Sequence, residues 1–162
     1  MTYEQELMSG VAKTTFRLNA QLFILGEALA SAAELTAARW QVLGAVLRQP
    51  LSVADVAREI GVTRQSVQRV ADLLVAEGLA EFRVNPAHAR SKLLAPTTAG
   101  RDAVRRIAPA HAALADRLAV ELGADQLRDS LATLEQLSKA LGSLIGTAAP
   151  GEGFPERWVV AS

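Results

Sequence analysis

Cysteine is absent from the 162 residues. That gap excludes a disulfide scaffold, a thiolate nucleophile, a zinc ribbon and thiol-based redox sensing. Histidine is nearly absent too: His88 and His111 are the only two, too few to close a usual structural zinc site. No apolar stretch escapes interruption by charge for the roughly 20 residues that a membrane helix needs. The opening Met1-Thr2-Tyr3-Glu4-Gln5-Glu6 is acidic where a secretory signal would be basic. These absences predict a cytoplasmic protein with no membrane attachment. Net charge is missing as well, with 17 Lys and Arg against 17 Asp and Glu.

Half of the residues are hydrophobic, enough to bury a sizeable core and to argue against disorder. The length suits one domain with helical extensions. Charge is unevenly spread. Between Gly61 and Arg106 stand eight basic residues (Arg64, Arg69, Arg83, Arg90, Lys92, Arg101, Arg105, Arg106) against four acidic ones (Asp72, Glu77, Glu81, Asp102). From Ile107 onward the balance reverses, to four basic and seven acidic. The middle of the chain therefore suits a polyanion better than its ends do.

Apolar residues recur at helical spacing from about Glu4 to Ala30. Thr36 is placed to cap a second helix through Leu47, with Trp40, Leu43 and Leu47 on one face. Ser52 caps a third helix, with Asp55 as a short-armed capping-box partner. Gly61 ends it, and Thr63 caps a fourth helix to about Glu77. Leu79-Ala80-Glu81-Phe82-Arg83 alternates as a strand does, Asn85-Pro86 is a turn, and Lys92-Leu93-Leu94-Ala95 is the returning strand. A long helix follows from about Ala99 to Leu122, with Pro109 expected to kink it. Asp125 is expected to cap a last helix to about Ile145. Apolar residues line more than one face of the terminal helices. This marks either buried core helices or a helical dimer interface.

The informative stretch is 53–74. Two helices crossing at a steep angle need a small residue at the crossing, supplied by Ala57, and a turn residue tolerant of positive φ, supplied by Gly61. Val62, Val67, Val70 and Leu74 face the first helix, where Val56 and Ile60 complete the contact. Arg64, Gln65, Ser66, Gln68 and Arg69 are left on the outer face of the second helix. Arg pairs with guanine, Gln with adenine, and Ser with phosphate or base edges. The helix start capped by Thr63 favours phosphate. This pattern is that of a helix-turn-helix with its recognition helix. Arg90 then sits at a hairpin tip with Lys92 nearby, placed to enter a minor groove or clamp the backbone, and His88 reads as a polar hairpin residue that can contact phosphate rather than as a metal ligand.

The order of these segments resembles the MarR family of winged-helix transcriptional regulators. The resemblance rests on Leu35-Thr36-Ala37-Ala38-Arg39-Trp40-Gln41-Val42-Leu43, the helix-turn-helix, Leu73-Leu74-Val75-Ala76-Glu77-Gly78-Leu79, the wing, and Thr97-Thr98-Ala99-Gly100-Arg101. Two departures stand out. The family's wing usually carries Asp-x-Arg, where this chain has His88-Ala89-Arg90. Pro96 replaces an apolar residue before the threonines.

The resemblance implies a mainly α fold with a small β-hairpin wing, and four segments: an N-terminal dimerisation helix (1–34), a winged helix-turn-helix (35–100), C-terminal dimerisation helices (101–146) and an irregular tail (147–162). It implies a homodimer on double-stranded DNA, with recognition helices about 34 Å apart over a pseudo-palindromic operator. It also implies repression relieved by a small aromatic or anionic molecule, with Phe16, Asn19, Phe23, Arg39 and Trp40 as candidate contacts. Phe16, Phe23 and Trp40 fit plain core positions at helical spacing better than a ligand box. No cofactor and no metal is expected.

No Gly-rich phosphate loop, metal-ligand cluster or nucleophile beside a base is present, and Glu27 and Glu34 have no catalytic partner in sequence. An enzyme is not expected. A winged helix used as a protein-interaction module is the alternative that zero net charge would suit.

Overall fold

The computed structural model describes residues 2–145. The expectations placed on the tail, including docking by Phe154, Trp158 and Val159, lie outside the described residues. In chain order the elements are α1 (Tyr3–Ser31), α2 (Ala37–Val46), β1 (Leu51–Ser52), α3 (Val53–Ile60), α4 (Arg64–Ala76), β2 (Ala80–Arg83), β3 (Leu93–Pro96), α5 (Thr98–Leu122) and α6 (Ala124–Ile145).

Hydroxyl caps set most helix starts. Thr36, Ser52, Thr63 and Thr97 each accept the backbone N–H three residues on, satisfying a donor that the helix itself leaves orphaned. Ser52 does more: its Oγ accepts from Asp55 N–H at 3.1 Å and donates to Asp55 Oδ2 at 2.5 Å. This hydrogen bond, with the Arg58 guanidinium assisting, holds the Asp55 carboxyl below its ordinary range against the opposing effect of desolvation. A depressed folded-state pKa gives stability that is present above the unfolded value, about 4, and lost as pH falls through the folded one. Ser52→Ala is expected to cost about 1 kcal/mol through the lost cap. It should also flatten the loss of stability below pH 4, measured by urea melts across pH.

Gly61, at φ +72°, ends α3 in the left-handed region. The N–H groups of Gly61 and Val62 both return to Ala57 O, at 3.0 and 3.1 Å. A side chain there would be strained, so glycine permits the tight turn into α4. At the end of α1 the left-handed residue is Glu34 (φ 57°), which carries no glycine signal.

The core lies where α2, α3, α4, the sheet and the start of α5 meet. Leu43, Leu74, Leu94, Ile107, Val42, Val46, Val56 and Val67 are its largest fully buried side chains. Ala57 and Ala71 are buried with them, letting α3 and α4 approach closely. Val62, Val70 and Ile60 pack on the core at its edge. The sheet is antiparallel, ordered β1-β3-β2, with Phe82 opposite Leu94 and Leu51 opposite Leu94 on the other side. β1 was not expected from the sequence: two residues carry no periodicity, and only pairing with β3 makes them a strand. Pro96 is buried at the end of β3 opposite Ala80, a position its apolar ring can fill.

α5 runs on through Pro109 without a break. One local expectation needs correction. Asp125 is not the cap of α6; it sits in the first turn, where its carboxylate pairs with Arg128 at 2.5 Å.

The terminal helices bury little. α6 has no buried residue and α1 only Ala30. Phe16 is 75% exposed, and Leu22, Phe23 and Ile24 on α1, Val120 on α5 and Leu131 on α6 are also exposed. They are therefore not core helices of the single chain.

Candidate nucleic-acid interface

α4 and the β2–β3 hairpin bound one cleft of about 720 Å³. Its lining comprises Arg64, Gln65, Gln68 and Asp72 from α4, Phe82 from β2, Arg90, Ser91 and Lys92 from the hairpin, and Val53 and Ala54 from the start of α3. The structure thus brings together five of the expected contact residues: Arg64, Gln65, Gln68, Arg90 and Lys92. Thr63, Ser66, Arg69 and His88 lie outside the lining but are exposed nearby in sequence. Thr63 Oγ1 donates to Ser66 Oγ at 2.9 Å and accepts Ser66 N–H at 3.2 Å. Both hydroxyls thus serve the start of α4. The hairpin turn is shaped by Asn85, whose Oδ1 accepts Ala87 N–H at 3.0 Å.

The eight central cations divide by their partners. Arg83 pairs with Glu81 and Arg105 with Asp102. Arg101 donates to Leu47 O at 3.0 Å and Arg106 to Ala33 O at 3.5 Å, tying α5 to the chain before and after α2. Arg64, Arg69, Arg90 and Lys92 have no side-chain partner among the described residues. Of these eight, the cations left without a bonding partner are thus those on α4 and the hairpin, where they can meet phosphates or base edges.

Asp72, Phe82, Ser91, Val53 and Ala54 were not anticipated as lining. Asp72 had a usable signal, its spacing of four residues from Gln68 on one helix. The others come to the cleft only through the β2–β3 pairing and the α3–α4 turn.

The residues expected at a small-molecule site are divided between α1 and α2. Phe16, Asn19 and Phe23 stand exposed on α1. On α2, Arg39 pairs with Glu77 at the end of α4 at 2.8 Å, and Trp40 meets the His111 ring edge-on with centroids 5.7 Å apart. Glu27 Oε1 accepts Ala37 N–H at 3.0 Å, so this carboxylate fastens the start of α2 to α1. Among the described residues no three His, Asp or Glu gather as metal ligands, and no helix is long and apolar enough to cross a membrane.

A tri-helical core with a capped helix-turn-helix and a β-hairpin flanking its second helix defines a winged helix-turn-helix protein. The MarR family profile matches residues 33–91. An uncharacterized protein of Mycobacterium tuberculosis is 40% identical over 126 residues, covering 78% of this chain and 88% of that one. Among solved structures, the transcriptional repressor CouR, bound to a 23-mer DNA duplex, superposes with TM-score 0.71 at 24% identity, covering 85% of this chain and 99% of that one. PcaV of Streptomyces coelicolor, a transcriptional regulator in complex with its natural ligand, gives TM-score 0.68 at 23% identity, with 79% and 91% covered. The chain belongs to the MarR family, and is in general terms a DNA-binding transcriptional regulator.

Proposed function

We propose that the protein is a homodimeric repressor of a pseudo-palindromic operator. Each α4 enters a major groove and each hairpin reaches the neighbouring minor groove or backbone. The observation that carries this reading is the set of unpaired cations, Arg64, Arg90 and Lys92, lining one cleft with Gln65 and Gln68. Arg69, Thr63, Ser66 and His88 extend the contact surface along α4 and the wing. The apolar side chains exposed on α1, α5 and α6 support pairing through residues 1–34 and 101–146, because surface of that kind needs a partner. Two-fold symmetry then sets the recognition helices about one DNA turn apart.

We also propose that a small aromatic or anionic molecule releases the operator. Arg39 holds the end of α4 through Glu77. A ligand carboxylate competing for Arg39, with its ring against Trp40, Phe16, Asn19 and Phe23, would loosen that hold and shift α4. The resemblance to PcaV supports this part.

Selection and sequencing of bound genomic fragments at two salt concentrations tests the operator reading. The expected result is a short inverted repeat whose affinity falls steeply with salt. Failure to retain any duplex at low salt would favour the protein-interaction module instead.

A further inference from the structure

We propose that Asp72 is a positioning residue that sets the base preference of Gln68, committing it to adenine; this rests on α4 being the helix that reads bases. Gln68 Nε2 donates to Asp72 Oδ1 at 2.8 Å, one helical turn along α4, and both residues line the cleft. An ionised carboxylate only accepts hydrogen bonds, so the nitrogen end of the amide must face Asp72. The flipped amide would set two acceptors against each other.

An unheld glutamine can flip, offering donors or an acceptor, and so meets several bases equally well. Held by Asp72, Gln68 has given one N–H to the carboxylate. It keeps the other N–H and Oε1, which together complement the N7 acceptor and N6 donor of adenine in the major groove.

The surroundings argue that Asp72 is kept for this purpose. It is the sole carboxylate in the lining, beside Arg64, Arg90 and Lys92, yet it makes no ion pair with any of them among the described residues. A negative charge in a cleft that faces phosphates weakens binding to every duplex alike. It returns sequence information only by orienting a reader or by accepting from cytosine itself, and its hydrogen bond with Gln68 favours the first. Asp72 therefore lowers general affinity while sharpening choice at one base pair in each half-site.

The test is selection from randomised duplexes with the full-length protein and its Gln68→Ala, Asp72→Ala and Asp72→Asn variants. The wild type is expected to select adenine at one position per half-site. Gln68→Ala and Asp72→Ala should both lose roughly tenfold preference at that same position, and Asp72→Ala should bind non-selected duplex more tightly than wild type. Asp72→Asn can donate to Gln68 as well as accept from it, so it no longer fixes the amide and should weaken the preference while also gaining affinity. Asp72 is exposed, and the variants' melting temperatures should match the wild type.

Unchanged selection by Asp72→Ala overturns the proposal. So does a change at a base pair that Gln68→Ala leaves alone, because Asp72 would then read that base itself. A wild-type protein that retains no duplex overturns the operator reading and this inference together. Wild-type selection with an indifferent Asp72→Ala overturns this inference only.

Discussion

Gly100→Ala is expected to destabilise the protein by about 4 kcal/mol, among the largest effects a single methyl group produces. A Cβ at Gly100 would lie 2.0 Å from Leu79 O, 3.0 Å from Leu79 C and 3.3 Å from Leu43 Cδ2. The first two are backbone atoms and cannot rotate away. Leu79 O is also held in place, because it accepts Thr97 N–H at 3.1 Å, while Thr97 Oγ1 donates to Gly78 O at 2.6 Å. Relief would therefore require moving α5 away from the end of α4, breaking both bonds and opening the core at Leu43. For a chain of this size the melting temperature should fall by about 8–16 °C. Gly44→Ala is the control: it is helical and exposed, and an added Cβ there meets nothing within 4 Å, so it should stabilise by up to about 1 kcal/mol. Equal melting of Gly100→Ala and wild type in circular dichroism would refute the close-approach argument.

The second large effect is on DNA. Replacing both Arg64 and Arg90 by Ala should lower operator affinity by about 100-fold or more, since each contact of this kind is worth about 1–3 kcal/mol. If both meet phosphates, the salt dependence should also become shallower, by about one unit of slope for each arginine. The two side chains approach one cleft from α4 and from the wing, and neither has a side-chain partner among the described residues. Stability should stay within about 0.5 kcal/mol of wild type, as expected for exposed side chains without structural contacts. Arg105→Ala provides the contrast, because Arg105 is already paired with Asp102 at 2.7 Å and should leave affinity nearly unchanged. Gel-shift or anisotropy titrations at two salt concentrations measure all three. Equal losses for Arg105→Ala and the double variant would remove the cleft from consideration as the interface.

What could be read directly from the sequence was whatever depends on near neighbours. Thr36, Ser52 and Thr63 announce helix starts because a hydroxyl cap acts over three residues. Gly61 announces the turn because positive φ is a property of one residue. Arg64, Gln65 and Gln68 were legible as an outer face because Val67, Val70 and Leu74 mark the inner one at helical spacing.

Tertiary structure alone decided the rest, since those features depend on residues far apart in the chain. Leu51 and Ser52 become a strand only beside β3. Gly100 is indispensable only because Leu79 O lies against it. Four of the eight central cations, Arg83, Arg101, Arg105 and Arg106, are taken up by partners in the fold, and that separates them from the four that remain available. Apolar periodicity could not tell core from interface in α1 and α6, because both need the same residues. Folding buries one set and leaves the other on the surface.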